Sequence, residues 1–317
     1  MDISYLLFLQ NFRASIHDAW TPFLENLSLF AVTYLIFIPV FIYWCVDKRK
    51  GLFTLASYAV SVVVTAVLKL TACIYRPWIR DARILPAGDA ITTATGYSFP
   101  SGHTTTATPI YGATAVGFWD KKSTRWLSLL CIFLILLTGF SRNYLGVHTP
   151  QDVAVGLFVG LGSLAFVAWV FNYLQKHPQQ ENKFLLGGFI VCVLCLIYIV
   201  YKPYPMDYID GKLVVDPQKM MNDGFKDIAA LAAFCVGRFI EKRWVRFQVT
   251  GLTVKGIVFG LAGLVPLYCI FFLLKGPFIN WMGPHWGRAA FESLAMIYIL
   301  VLYPWVLKYR CPPKQIN

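Results

Sequence analysis

The chain has 317 residues, 57% of them hydrophobic and 14% charged, with 25 Phe, 17 Tyr and 10 Trp, and its mean hydropathy is +0.59. That is the composition of a polytopic membrane protein. A net charge of +12 raises nucleic-acid binding, but the basic residues are spread over the loops and gather in no single patch, so no nucleic-acid partner is expected.

Residues 1–26 alternate apolar and polar side chains at helical spacing, without a basic start before a pure apolar core. This predicts an interfacial amphipathic helix and not a cleaved signal. A helix needs roughly 20 residues to cross a hydrocarbon core of about 30 Å, and nine stretches meet that requirement: 27–46, 52–75, 101–119, 126–142, 151–174, 184–201, 224–241, 251–274 and 289–307. The fourth is short, and the seventh carries Lys226, Asp227 and Arg238. The expected fold class is therefore all-α, a membrane helix bundle of about nine transmembrane helices.

If the spans alternate, one face receives Lys48, Arg49 and Lys50; Lys121, Lys122 and Arg125; Lys176 and Lys183; Lys242, Arg243 and Arg246; and Lys308, Arg310 and Lys314. The positive-inside rule makes that face cytoplasmic, with the N-terminus outside and the C-terminus inside. Lys69, Arg76, Arg80, Arg83 and Arg142 fall on the opposite face and need another explanation. Cys45, Cys73, Cys131, Cys192, Cys195, Cys235 and Cys269 lie within or at the ends of spans, which argues against a disulfide framework; the Cys192/Cys195 pair reads as helix packing. No histidine forms an HxxH or HExxH pair, so no metal is expected, and His177 and His285 read as loop residues.

Three stretches concentrate polar chemistry at the non-cytoplasmic face. In "KLTACIYRP", Lys69 and Arg76 are seven residues apart and share a helix face, and Pro77 ends the helix. A lone Arg76 reads as a flanking anchor, but a lysine two turns inside an apolar helix costs about 2.5–3.5 kcal/mol at mid-membrane and normally serves a polar cavity. In "YSFPSGHTTTA", Ser101 is an N-cap and Gly102 permits close approach, so a helix N-terminus able to bind anions points out of the membrane. Capping explains Ser101 and Gly102 but not His103. In "SRNYLGVHTPQD", a short turn returns Arg142 toward His148, and Asp152 shares a helix face with that histidine. Thr149, Pro150 and Asp152 also read as a helix start, which leaves His148 and Arg142 unexplained. Three cations, a helix N-terminus and two histidines at one face suit a phosphate: the cations clamp its oxygens, one histidine attacks phosphorus and the other protonates the leaving oxygen.

These stretches resemble, at all eleven fixed positions and in order, the three signature motifs of the type 2 phosphatidic acid phosphatase (PAP2) superfamily, KxxxxxxRP, PSGH and SRxxxxxHxxxD. The resemblance implies a six-helix catalytic core and a metal-independent phosphatase with no cofactor. It implies that Lys69, Arg76 and Arg142 bind phosphate, assisted by Ser101 and Gly102, that His148 is the nucleophile oriented by Asp152, and that His103 is the general acid. The expected organisation is an interfacial helix over 1–26, a PAP2-like core over 27–201, and an extension over 202–317 whose loop 202–223 lies outside, over the site, followed by three spans.

The leading expectation is hydrolysis of a lipid phosphate or diphosphate in the plasma or cytoplasmic membrane. A soluble sugar phosphate is the alternative, since glucose-6-phosphatases share the motifs, and an anion or lipid-phosphate transporter without hydrolysis is the alternative from another class. Vanadate-dependent oxidation is disfavoured by the apolar chain. Arg80 and Arg83 either read a second phosphate or pair with Asp81 and Asp89. In the extension, Arg238 with Glu241 and Arg288 with Glu292 read as ion pairs, and Gly256/Gly260 as a close-packing GxxxG.

Overall fold

Caps and prolines decide where the helices of this chain begin and end. The computed structural model describes residues 2–310 except Lys121 and Thr250; Lys121 and Lys314 of the basic loops lie outside the described residues. Helix α1 (Asp2–Ser15) buries Leu6, Leu9 and Arg13 on one face. It ends where His17 and Asp18 adopt positive φ, and α2 (Thr21–Thr33) starts anew with a proline in its first turn. The single amphipathic helix expected over 1–26 is thus two pieces. The chain is helical again over Phe37–Val46, and α3 (Lys48–Ala72) follows, its start fixed by Asp47 Oδ1 accepting from the N–H groups of Arg49 and Lys50.

The remaining long helices are α4 (Gly102–Trp119), α5 (Arg125–Tyr144), α6 (Pro150–Lys176), α7 (Glu181–Tyr201), α8 (Pro217–Ile240), α9 (Val254–Cys269) and α10 (Pro284–Ile297). Strands β1 (Tyr208–Ile209) and β2 (Lys212–Leu213) form a small antiparallel hairpin between α7 and α8. Six helices among the described residues are long and apolar enough to cross a membrane, and a seventh is added if Thr21–Thr33 and Phe37–Val46 are one span. Helices also form over the expected spans 101–119 and 224–241. They fall outside that set because the threonines of α4 and the charges Lys226, Asp227 and Arg238 of α8 dilute their apolar content. Only 11% of the apolar stretch in Pro178–Tyr201 is buried, which suits a surface facing lipid.

The chain divides into two compact units, one made of Met1–Ile36, Val64–Ala165 and Lys202–Met221, the other of Phe37–Val63, Phe166–Tyr201 and Asn222–Asn317. In the first, glycines bring α4, α5 and α6 together. A Cβ on Gly160 would lie 2.5 Å from the Thr108 Cβ, one on Gly156 3.0 Å from the Ser101 carbonyl, and one on Gly139 2.7 Å from a Val153 methyl. Leu24, Ala87, Ala90, Tyr144, Leu145 and Val147 form a buried apolar cluster under the loop joining α5 to α6.

In the second unit the expected GxxxG packs closely, since a Cβ on Gly260 would meet Cys45 Sγ. Arg238 does pair with Glu241, and also with Glu181. Arg288, expected to pair with Glu292, reaches instead to Asp223 at 3.0 Å. Four-residue spacing on a helix permits a contact, but a partner on another helix competed for this guanidinium.

Candidate active site

All eight candidate residues lie in the first unit. Lys69 stands in the last turn of α3 and donates to the carbonyls of Tyr97 (2.7 Å) and Pro100 (3.0 Å), the two residues flanking Ser98 and Phe99. Arg76 is the N-cap of a short helical turn at Pro77–Arg80, and is 4% exposed. Its guanidinium donates to the carbonyls of Gly96 (3.1 Å), Thr95 (2.7 Å) and Val147 (3.0 Å). Both cations are therefore oriented by main-chain oxygens, which hold a donor without carrying a full charge.

Ser101 caps α4, its Oγ receiving the N–H of Thr104 at 3.5 Å and the Thr104 hydroxyl at 3.1 Å. Gly102 has no atom within 4 Å of where a Cβ would stand, so the backbone there is open to close approach. His103, one residue later, is 5% exposed; its Nε2 has no hydrogen-bond partner, and it lies within the electrostatic reach of Arg142, His148, Arg76 and Lys69.

Arg142 is fully buried in the last turn of α5. Its Nη1 donates to the Ser28 hydroxyl at 2.6 Å, while Nε and Nη2 have no partner. A buried guanidinium with two unsatisfied nitrogens is costly unless an anion completes it. The main chain then turns through Gly146 at φ 72°, and the N–H groups of Val147 and His148 both bond back to the Arg142 carbonyl at 3.2 Å. This is how one turn brings the ends of α5 and α6 together.

His148 Nε2 lies 2.9 Å from Arg76 Nη1, and Nδ1 lies 3.4 Å from Asp152 Oδ2. A guanidinium can only donate, so Nε2 carries the lone pair and Nδ1 carries the hydrogen that faces the carboxylate. Burial first, and then the charge of Arg76, hold this imidazole well below its ordinary pKa. Asp152 serves two purposes at once. Its Oδ2 accepts from the Thr149 N–H (2.8 Å) while its own N–H donates to Thr149 Oγ1 (3.3 Å), a reciprocal capping pair. The same oxygen accepts from Ser98 Oγ at 2.6 Å.

Several residues around the site escaped sequence reasoning. Ser98 steadies Asp152, Ser28 steadies Arg142, and Asn143 Nδ2 donates to the His148 carbonyl at 2.9 Å. Arg13 of α1 donates to the carbonyls of Tyr144 (3.0 Å) and Leu85 (2.7 Å), tying the N-terminal helix to the end of α5. The sequence offers a signal for Ser98 and Asn143, which sit inside the motif stretches, and none for Ser28 or Arg13. Of the two cations considered for a second phosphate, Arg80 pairs with Asp2 at 2.8 Å and Arg83 with Asp81 at 2.7 Å. The hydrogen bond from Arg83 holds the Asp81 carboxyl down at about 2. Among the described residues no group of three or more His, Cys, Asp or Glu is placed to hold a metal ion.

The PAP2 superfamily profile matches residues 50–176, the stretch that contains every candidate residue. Residues 50–176 of the chain thus resemble the PAP2 superfamily. Proteins similar to this chain include the bacitracin transport permease protein BcrC of Bacillus licheniformis, 28% identical over 48% of this chain and 72% of the relative. Phosphatidylglycerophosphatase B of Escherichia coli is 34% identical over 28% of this chain and 36% of its own length. Undecaprenyl-diphosphatase of Sulfolobus acidocaldarius is 29% identical over 39% and 58%. The chain thus spans from about a third to about three quarters of the curated relatives it matches. No solved structure matches the chain.

Proposed function

We propose that the protein is an integral-membrane phosphatase that hydrolyses a lipid phosphate or lipid diphosphate at the non-cytoplasmic membrane face through a phosphohistidine on His148. The observation that carries this reading is the presence in one unit of a buried, incompletely satisfied Arg142 and a His148 whose Nε2 bears the lone pair beside Arg76. Lys69, Arg76 and Arg142 bind the phosphoryl oxygens, with the start of α4 at Ser101 and Gly102 adding backbone N–H groups and the positive end of the helix. His148 Nε2 attacks phosphorus, and Asp152 stabilises the positive charge that develops on the ring. His103 gives a proton to the departing oxygen, and water then cleaves the phosphorus–nitrogen bond to release inorganic phosphate.

The lipid substrate is supported by relatives whose names specify a phosphatidylglycerophosphatase and an undecaprenyl-diphosphatase. The pairing of Arg80 and Arg83 with Asp2 and Asp81 favours a single phosphate clamp over a reader of two. Sidedness rests on the basic loops, and on a nine-span crossing in which the ends of α3 and α5 and the starts of α4 and α6 share one face. A position of the loop 202–216 over that face is supported by two bonds near the end of α3: its Asp207 accepts from the Tyr75 hydroxyl at 2.6 Å and its Lys202 donates to the Leu70 carbonyl at 2.5 Å. A transporter reading draws on the name of one relative, but binding alone has no use for an imidazole fixed by a carboxylate.

The test is phosphate release by detergent-purified protein from phosphatidate, sphingoid phosphate, polyprenyl diphosphate and glucose 6-phosphate, with chelator present, beside His148→Ala. Chelator-resistant release from a lipid substrate that disappears in the variant is expected. Release from glucose 6-phosphate alone would overturn the lipid assignment, and release that survives in His148→Ala would overturn the nucleophile.

A further inference from the structure

The second unit contains a cavity of about 440 Å³ lined by Lys48, Arg49, Leu52, Phe171, Leu174, Gln175, Glu181 and Arg238. Its lining comes from four helix ends: the first turns of α3 and α7, and the last turns of α6 and α8. Two of those ends are N-termini, the positive ends of helix dipoles, one of them capped by Asp47. The charged side chains form one network. Lys48 bonds to Glu241 at 2.6 Å, Arg238 bonds to both Glu241 and Glu181, and Lys242 reaches Glu181 at 2.7 Å. Arg49 donates to the neutral Gln175 at 2.9 Å. Three cations share two carboxylates and Arg49 adds a fourth positive charge, against which Asp47 at the start of α3 sets a third negative one, so the cluster keeps a net positive charge beside an apolar wall of Leu52, Phe171 and Leu174.

We propose that this cavity binds the anionic phosphodiester headgroup of a glycerophospholipid, with its first acyl carbons against that wall. The volume is within the range of pockets that enclose small ligands. A charged mouth over an apolar wall at helix ends is the chemistry of a lipid and not of a soluble metabolite, and basic pockets at the cytoplasmic ends of membrane helices recognise such headgroups. The site is separate from the phosphatase motifs. Every residue that lines it belongs to the second unit, and every motif residue to the first. A phosphodiester also offers no terminal phosphate for the chemistry proposed at His148, so the lipid held here is a ligand and not a substrate.

The experiment titrates full-length protein in neutral detergent with phosphatidylglycerol, phosphatidylcholine and inorganic phosphate, and reads bound lipid by native mass spectrometry. The wild type is expected to hold phosphatidylglycerol at least about tenfold more tightly than phosphatidylcholine. Arg49→Glu, an exposed side chain, removes that preference without lowering the melting temperature, Gln175→Glu weakens it in the same direction, and Arg142→Ala leaves it intact. Equal binding of the two lipids by the wild type, or undiminished phosphatidylglycerol binding by both charge variants, would overturn the proposal. So would loss of the preference in Arg142→Ala alone, which would move the lipid to the phosphate site. Displacement of phosphatidylglycerol by inorganic phosphate at an equal concentration would overturn the lipid source in favour of free phosphate.

Discussion

Asp152→Asn isolates the contribution of charge from that of shape. Asp152 is 2% exposed, and its Oδ2 faces His148 Nδ1 at 3.4 Å. In the proposed mechanism the ring becomes cationic when His148 Nε2 bonds to phosphorus. At 3.4 Å and an effective dielectric constant of about 20, a full charge on each partner interacts by about 5 kcal/mol. If about half of the ring charge has developed in the transition state, about 2.5 kcal/mol is lost, a fall of roughly 70-fold in kcat; full charge development raises this to about 5,000-fold. The amide oxygen of Asn still accepts from Ser98 and Thr149, so the cap and the fold remain. KM should change little, because Asp152 acts through His148 and touches no substrate. The assay is steady-state phosphate release combined with acid-quench measurement of the phosphoenzyme, which should form more slowly in the variant. A kcat within about threefold of the wild type, in protein with an unchanged melting temperature, would refute the electrostatic role.

Ser28→Ala removes the hydroxyl that accepts from Arg142; melting should report a loss of about 1.5–3 kcal/mol, typical of a hydrogen bond to a charged group. KM should rise about tenfold, with recovery in Ser28→Thr. Burial and Arg76 depress the His148 pKa, so the acid limb of kcat/KM is expected below the ordinary imidazole value of about 6.5. Stability follows the same sign: above that pH both states leave this ring neutral, and as pH falls below it the unfolded chain takes up the proton first, so stability is lost on the acid side. A pH–rate profile and melting curves at several pH values check both limbs. Gly160→Ala places a Cβ 2.5 Å from Thr108 and should cost about 1–3 kcal/mol by overpacking, whereas Gly162→Ala, with nothing within 4 Å, should not; thermal denaturation of the pair in detergent decides it.

What the sequence revealed follows from how local each feature is. Pro77, Ser101 and the Thr149–Pro150–Asp152 start mark helix ends within a few residues, so the positions of Lys69, Arg76, His103, Arg142 and His148 at such ends were legible. The hydrogen bond from Arg142 to Ser28 joins residues 114 apart, and the one from Arg13 to Tyr144 joins residues 131 apart; no local pattern encodes either. The pairing of Arg288 with Asp223 illustrates the same limit, since the four-residue spacing to Glu292 was visible and the competing helix was not. Span counting by apolar length worked where helices are uniformly greasy. At α4, where threonines serve the packing against α6, and at α8, where charges interrupt the apolar run, helices form as expected but apolar length alone does not mark them as spans. The interleaving of chain segments between two units has no signature in composition, because both draw on the same apolar alphabet.

If Lys69 and Arg76 bind the phosphoryl group as proposed, their carbonyl tethers have a kinetic consequence. Main-chain oxygens fix the direction of a cation while leaving its charge available, so the pocket attracts a dianion on arrival and continues to attract it after the bond is broken. Orthophosphate freed from the enzyme carries the same kind of oxygens as the ester and meets the same cations. Departure of the product, and not its formation, is then the step that such tethering slows, and orthophosphate should compete with substrate for the empty enzyme.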